Sequence, residues 1–144
     1  MKKNSITKIF IPLILGTIVG LIIMGSMNYG ELVKPDFAPP KIIFPIVWSI
    51  LYLLMGITYY LIYEEKNQKL FIIQLIFNLL WPIIFFSFHQ YVGAFIWILI
   101  LLILVKIMIH SVFKENKFAA YLQFPYLLWL VFATILNYSI MILN

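Results

Sequence analysis

Long apolar segments separated by short polar stretches dominate the pattern of this sequence. Each segment is close to the roughly 20 residues that a helix needs to cross a bilayer, and none contains an acidic residue. The connections are short, so consecutive helices should pack as antiparallel neighbours. We therefore predict an all-α integral membrane fold, a single domain over residues 1–144. Its five transmembrane helices are predicted at residues 9–27, 46–63, 70–88, 91–109 and 122–143.

The connection between the first and second predicted helices differs from the others. Residues 28–45 include Pro35, Pro39, Pro40 and Pro45, together with two acids and two lysines. Proline removes a backbone donor and blocks a continuous helix, and structureless connections of this length are usually functional or disordered. We predict an ordered loop that acts as a lid.

Glycine and proline residues predict local departures from regular helix packing. Gly16 and Gly20 form a GxxxG pair, which would let another helix of this chain approach closely. Pro82 interrupts the third apolar segment and should kink it, in a place where neighbouring helices cover the freed carbonyl. The first segment also resembles a signal peptide. However, it is longer than the apolar region of an ordinary signal peptide and lacks a small-x-small cleavage site.

Composition removes several classes of protein. The chain is 65% hydrophobic and 10% charged, with a mean hydropathy of +1.07, so a bilayer must be its solvent. It has no cysteine, which excludes disulfides and thiolate chemistry. No nucleophile elbow, phosphate-binding loop or carboxylate pair is found, so a hydrolase or phosphotransferase is not expected.

The net charge of +5 comes from lysines, which we assign to the connections between helices rather than to a nucleic-acid surface. Lys34 and Lys41 lie on one predicted side of the membrane. The other side carries Lys2, Lys3, Lys8, Lys66, Lys69, Lys106, Lys114 and Lys117. By the positive-inside rule the N-terminus is cytoplasmic and the proline-rich loop external. We expect a multi-pass protein of a bacterial plasma membrane, because outer-membrane spans are normally barrels.

Three predicted helices carry aromatic and amide residues at helical spacing. The three stripes are Trp48, Tyr52, Met55 and Tyr59; Gln74, Asn78, Trp81 and Phe85; and Tyr126, Trp129, Ala133 and Asn137. One such stripe alone would indicate ordinary packing or an interfacial belt. Amides are costly in hydrocarbon unless they find partners within the bundle, so these faces should point inward. They predict a pocket for a flat, largely apolar ligand.

Titratable residues offer little chemistry inside the predicted spans. Lys106 is predicted near a helix end, where its side chain can reach the interface. His89 and His110 are predicted at helix boundaries without a second ligand at metal-binding spacing, so we interpret both as interfacial residues and predict no metal site.

Five ordered motifs between residues 34 and 138 resemble those of the translocator protein family, also called the tryptophan-rich sensory proteins. They are Lys34-Pro35-x-x-x-Pro39-Pro40, Phe44-Pro45-Ile46-Val47-Trp48, Leu51-Tyr52-x-x-Met55-Gly56, the segment 74–86 with Trp81-Pro82, and the segment 125–138 with Pro125-Tyr126 and Asn137-Tyr138. The resemblance implies a five-helix bundle whose ligand pocket is capped by the first loop. It implies binding of porphyrins such as protoporphyrin IX and of isoquinoline-type molecules, with no further cofactor.

Together, the resemblance and the aromatic stripes give a set of candidate site residues. The ligand-binding set is Trp48, Tyr52, Asn78, Trp81, Phe85, Tyr126, Trp129, Ala133 and Asn137, and the lid set is Lys34, Pro35, Phe37, Pro39 and Pro40. Expected partners are the lipid bilayer and a flat apolar small molecule. The resemblance also implies a homodimer, although the small-residue pattern that relatives carry on the third helix is not evident here.

The resemblance leaves three functions open: a receptor or sensor, an enzyme that degrades porphyrin with light and oxygen, and a transporter. For the enzyme, Trp48 and Trp129 would be the catalytic residues. This chain also departs from its relatives, because Asn28 or Tyr29 and Phe37 stand where they often have tryptophan. No Lys or Arg follows Tyr138, so the sterol-recognition pattern of animal relatives is absent.

Overall fold

The computed structural model describes residues 5–144 and contains no strand within that range. Its helices are α1 (Ile11–Met24), α2 (Ile43–Leu61), α3 (Glu65–Pro82), α4 (Tyr91–Glu115), α5 (Lys117–Tyr121) and α6 (Phe124–Leu143). Short 3₁₀ turns cover Ile6–Ile9 and Tyr29–Glu31, and a π-helical turn, Ile83–Ser87, follows α3.

The predicted all-α membrane fold is confirmed. Four helical segments are long and apolar enough to cross a membrane: α2, α3 with its π-helical turn, α4, and α5 continued by α6. The remaining helix, α1, has 14 residues and follows the 3₁₀ turn Ile6–Ile9. It packs against α2 and α3 and supplies the fifth apolar helix of the bundle.

Three predicted boundaries are wrong. Helix α2 begins at Ile43 rather than residue 46, because Pro45 lies in the first turn, where a backbone donor is not needed. Helix α3 begins at Glu65, so the charged residues at its start are helical. Helix α4 continues to Glu115 instead of ending near residue 109, and His110 therefore lies within the helix and not at its boundary.

Helix α3 ends at Pro82, the proline at which the sequence predicts a kink. After Pro82 the helix widens into the π-helical turn, and the amide of Phe88 donates to the carbonyl of Ile83 at 3.0 Å. His89 then adopts a positive φ of 54°, which turns the chain into α4. The wider turn directs Phe85 and Phe86 into the core, where both are buried.

A carboxylate joins the far end of α4 to the connection between α2 and α3. Glu115 accepts hydrogen bonds from the amide of Tyr63 at 2.5 Å and from Nδ2 of Asn67 at 2.7 Å. The hydroxyl of Ser111 donates to Oδ1 of Asn67 at 2.6 Å. These bonds fix the register of α3 against α4, the most extensive helix pair of the bundle.

Two glycines allow α1 and the turn Ile6–Ile9 to pack closely against α2. A Cβ at Gly16 of α1 would overlap the ring of Tyr52, and one at Gly56 would overlap the backbone of Ile9. By contrast, a Cβ at Gly20 would meet no atom within 4 Å. The predicted GxxxG contact therefore holds for Gly16 and is wrong for Gly20.

Candidate functional site

A chain of buried hydrogen bonds connects α2, α3 and α6 at the centre of the bundle. The hydroxyl of Tyr52 donates to Oδ1 of Asn78 at 2.7 Å, and Nδ2 of Asn78 donates to the hydroxyl of Tyr126 at 2.8 Å. Tyr126 in turn donates to Oε1 of Gln74 at 2.9 Å. All four side chains are buried. The amides predicted to point inward do so, and each of them has a partner from another helix.

A second pair of amide contacts joins α3, α6 and the start of α4. The indole Nε1 of Trp81 donates to Oδ1 of Asn137 at 3.0 Å, and Nδ2 of Asn137 donates to the carbonyl of Tyr91 at 3.0 Å. Trp81 also lies 5.2 Å from the ring of Phe85. Trp81, Phe85 and Asn137 are therefore held within the core by each other and by α4.

Trp48 and Trp129 meet between α2 and α6. Their ring centroids are 6.4 Å apart and their planes are nearly perpendicular, at 88°. Trp48 also stacks on Tyr52 at 5.5 Å, and Trp129 lies 5.0 Å from Phe132. Such edge-to-face and offset pairs are the favoured arrangements of aromatic rings. The aromatic faces of α2 and α6 thus converge as predicted.

A groove beside this pair opens between α2 and α6, where Trp48 and Trp129 contact each other. It has a volume of about 420 Å³, within the range of small-molecule sites. It is lined by Val47, Ile50, Leu51, Pro125, Leu128, Trp129 and Phe132. Leu128 is 71% exposed, so the groove faces the surrounding membrane rather than an enclosed hollow.

A buried donor beside the groove, Nε1 of Trp129, has no acceptor among the described residues. Nε2 of Gln74 also lacks one, but Gln74 is fully buried inside the bundle and does not line the groove. A buried N–H without a partner costs about 1–3 kcal/mol, so a ligand with an acceptor atom gains by meeting Nε1 of Trp129. Ala133, one turn beyond Trp129 on α6, is buried and adds no bulk beyond its methyl group.

The loop between α1 and α2 is held in an ordered conformation. Tyr29 is buried, and its hydroxyl donates to the carbonyl of Pro39 at 2.7 Å. The ammonium of Lys34 donates to the carbonyls of Tyr29 and Leu32 at 2.9 and 3.2 Å. Burial raises the pKa of the Tyr29 phenol above its usual value, so it remains a donor at neutral pH.

The loop between α1 and α2 reaches the groove at Phe132, one of the residues that line it. Phe37 makes an edge contact of 6.1 Å with Phe132, and Asn144 exchanges two hydrogen bonds with the backbone of Val33, at 3.1 and 2.9 Å. Pro35 lies between Val33 and Phe37, and Pro39 and Pro40 follow Phe37. The ring of Phe132 therefore lies between the predicted lid and Trp129, because it contacts both Phe37 and Trp129.

Sequence reasoning missed several residues that shape the groove. Val47, Ile50, Leu128 and Phe132 lie outside the three aromatic stripes, and the periodicity of one helix does not indicate which outer face borders a gap. Of the predicted ligand-binding set, Trp129 lines the groove, and the other eight residues are not among its lining residues.

Within residues 5–144, no group of three or more His, Cys, Asp or Glu side chains could hold a metal ion.

Comparisons with known proteins agree with this architecture. The family model described as TspO/MBR matches residues 8–143. The chain belongs to the TspO/MBR family. It is 35% identical over 122 residues to the tryptophan-rich protein TspO of Archaeoglobus fulgidus, covering 81% of this chain and 79% of the relative. The human translocator protein is 34% identical over 125 residues, covering 81% of this chain and 74% of that protein.

A third relative is named for sensing. The tryptophan-rich sensory protein of Cereibacter sphaeroides is 33% identical over 120 residues, covering 81% of this chain and 76% of the relative. This TspO/MBR member is a multi-pass membrane protein, with a buried aromatic cluster between its helices.

Proposed function

We propose that this TspO/MBR protein is a membrane receptor or sensor for flat, largely apolar small molecules, porphyrins such as protoporphyrin IX and isoquinoline-type compounds. The ligand lies against Trp129 and Trp48 beneath the loop that carries Lys34 and Phe37. Binding requires no other cofactor, because stacking and one or two hydrogen bonds supply the recognition.

The unpartnered indole of Trp129 is the main support for this proposal. Its ring lines the groove of about 420 Å³, while its buried N–H has no acceptor. A carbonyl or carboxylate on a flat ligand supplies that acceptor while the ring system packs on the indole faces. The loop contact between Phe37 and Phe132 lets the lid respond to the ligand.

Titration with protoporphyrin IX tests the proposal. Purified protein in detergent should show saturable quenching of tryptophan fluorescence with a stoichiometric end point. Changing both Trp48 and Trp129 to leucine removes the Trp129 ring and its donor from the groove, each worth about 1 kcal/mol, together with the Trp48 ring that packs on Trp129, so we expect affinity to fall more than tenfold. Trp97 serves as the control position, because its indole donates to the carbonyl of Phe77 at 2.8 Å and does not line the groove. Equal loss with Trp97→Leu, or saturable binding unchanged in the double variant, would refute this site.

A second function is supported by the contact between the two indoles. Trp48 and Trp129 lie within 6.4 Å of each other, which suits exchange of an electron between a ring and a bound, light-excited macrocycle. The same site then degrades porphyrin in light, with dioxygen as the oxidant, and Trp48 and Trp129 are its catalytic residues.

Illumination in air separates the two functions. A receptor leaves protoporphyrin unchanged, whereas a degrading enzyme should bleach the Soret band and yield a new absorbing product. Trp129→Phe keeps an aromatic ring but lacks the N–H donor and is harder to oxidise, so we expect weaker binding, and product formation per bound porphyrin reduced more than tenfold. Bleaching at the same rate in free porphyrin, or in the Trp129→Phe variant, would rule out the enzyme function.

The orientation and membrane are part of the same proposal. We infer a bacterial plasma membrane with a cytoplasmic N-terminus, because Lys8, Lys66, Lys69, Lys114 and Lys117 flank one end of the bundle while Lys34 and Lys41 flank the other. The lid and the groove then open toward the external side.

A further inference from the structure

Lys106 has an unusual position for a charged residue in this membrane protein. It lies nine residues before Glu115, the last residue of α4, and its side chain is exposed. At 1.5 Å per residue this is about 14 Å along the axis. The 25-residue helix exceeds the roughly 30 Å hydrocarbon core by only a few ångströms at each end. The backbone of Lys106 therefore lies at hydrocarbon depth, contrary to the sequence-based prediction that it lies near a helix end.

Among the described residues, no acidic side chain forms a salt bridge with Lys106. The salt bridge seen among residues 5–144 joins Lys69 to Glu65, and Lys106 makes no hydrogen bond there. The nearest acid along α4, Glu115, directs its carboxylate to the amides of Tyr63 and Glu64 on the opposite side of the turn. A lysine at this depth costs about 2.5–3.5 kcal/mol without a partner.

A lysine at this depth lowers its cost by extending its side chain toward the nearer interface, which here is the end of α4 that carries Lys114. The four-carbon stem then stays against apolar surface while the ammonium approaches the phosphate level of the bilayer. An anion held at that level compensates the charge.

A second groove lies where such an anion would bind. Its volume is about 270 Å³, and it is lined by Lys106, Ile109, His110, Phe113 and Leu127. Lys106 and His110 are one turn apart and share a helix face, so both polar groups can approach one ligand. At the same end, Nζ of Lys117 lies 5.7 Å from the ring centre of Phe113. The rest of the lining is aliphatic or aromatic.

We propose that this groove between α4 and α6 is a binding site for an acidic phospholipid. The phosphodiester lies near the interface, between the extended Lys106 ammonium and an N–H of His110 and beside Phe113, and an acyl chain runs inward past Ile109 and Leu127. A net negative headgroup is required, because a zwitterionic lipid brings its own cation to a site that is already basic. A free phosphate gains no contact with the apolar lining and does not satisfy the site.

Native mass spectrometry of the detergent-purified chain tests the proposal with defined lipids. Phosphatidylglycerol and phosphatidylcholine of equal chain length are compared, with glycerol phosphate as the headgroup lacking acyl chains. We expect one phosphatidylglycerol to bind at least fivefold more tightly than phosphatidylcholine and glycerol phosphate to show no retained adduct. A juxtamembrane lysine contributes about 1 kcal/mol to binding of acidic lipid, so Lys106→Gln should weaken that lipid about fivefold.

Matched variants distinguish this site from general attraction to a basic surface. Lys69→Gln removes the same charge at the same end of the bundle and should leave phosphatidylglycerol affinity unchanged. Lys106→Gln with His110→Gln should lose the preference over phosphatidylcholine, and unchanged protoporphyrin quenching verifies that these variants are folded. Equal losses in Lys69→Gln and Lys106→Gln, equal retention of the two lipids by the unaltered chain, or binding of glycerol phosphate alone would overturn the proposal.

Discussion

Replacing Asn78 with leucine is expected to lower the free energy of unfolding by about 2–3 kcal/mol, although the two side chains are similar in size. Asn78 accepts from Tyr52 and donates to Tyr126, which links three helices. Interhelical hydrogen bonds in membranes are worth about 0.6 kcal/mol on average and at most about 1.7. Here the loss is larger than average, because the hydroxyl of Tyr52 is left buried without an acceptor. Thermal unfolding followed by circular dichroism in one detergent measures the change.

A double-mutant cycle identifies the cause of that loss. Tyr52→Phe removes the hydroxyl that Asn78→Leu leaves without an acceptor, so the double variant should be more stable than the sum of the single losses predicts. Tyr126→Phe should also be destabilising, because it leaves Nδ2 of Asn78 and Oε1 of Gln74 buried without partners. Additive single losses, or an Asn78→Leu variant that melts like the unaltered chain, would show that these bonds do not hold the helices together.

The inward direction of the amides could be predicted from the sequence, whereas their partners could not. Asn78 and Asn137 are expensive in hydrocarbon, and this cost alone predicted that their helix faces point inward. The bond from Trp81 to Asn137 depends on the relative height of α3 and α6. That height is set by the π-helical turn after Pro82 and by the contacts of Glu115, neither of which has a periodic signal.

The position of the ligand groove depends on tertiary structure in the same way. The stripes predicted that Trp48 and Trp129 approach each other, and their contact at 6.4 Å agrees. The groove itself lies between α2 and α6, and three of its seven lining residues, Ile50, Pro125 and Leu128, are exposed. Exposed apolar residues cover every helix of a membrane protein, so composition does not distinguish those beside a gap.

The end of α4 shows a different reason for a wrong prediction. A hydropathy pattern ends a span where polar residues begin, and His110 and Lys114 therefore placed the boundary near residue 109. Backbone hydrogen bonding does not stop there. Helix α4 ends only before Asn116, which caps the start of α5 by accepting a hydrogen bond from the amide of Ala119 at 3.1 Å. The extra turns place Lys106 well inside the helix, and its proposed lipid contact follows from that position.

Replacing Gly56 with valine is expected to be more disruptive than any other change considered for this chain. A Cβ at this position would overlap the backbone carbonyl of Ile9, which cannot rotate aside as a side chain can. Overfilling of a packed core usually costs about 1–3 kcal/mol, and we expect a loss above about 3 kcal/mol here, because the turn Ile6–Ile9 must leave α2. Thermal unfolding in detergent should show a markedly lower midpoint.

Two other glycines provide matched controls on α1. Gly20→Ala meets no atom within 4 Å and should leave the midpoint unchanged or raise it slightly, since alanine favours a helix over glycine by about 1 kcal/mol. Gly16→Ala meets the ring of Tyr52, so it should displace the phenol from Trp48 and Asn78 and weaken protoporphyrin binding more than stability. A Gly56→Val protein that melts with the unaltered chain would mean that the N-terminal turn does not pack on α2. Equal effects at Gly16 and Gly20 would mean that α1 does not support the aromatic site.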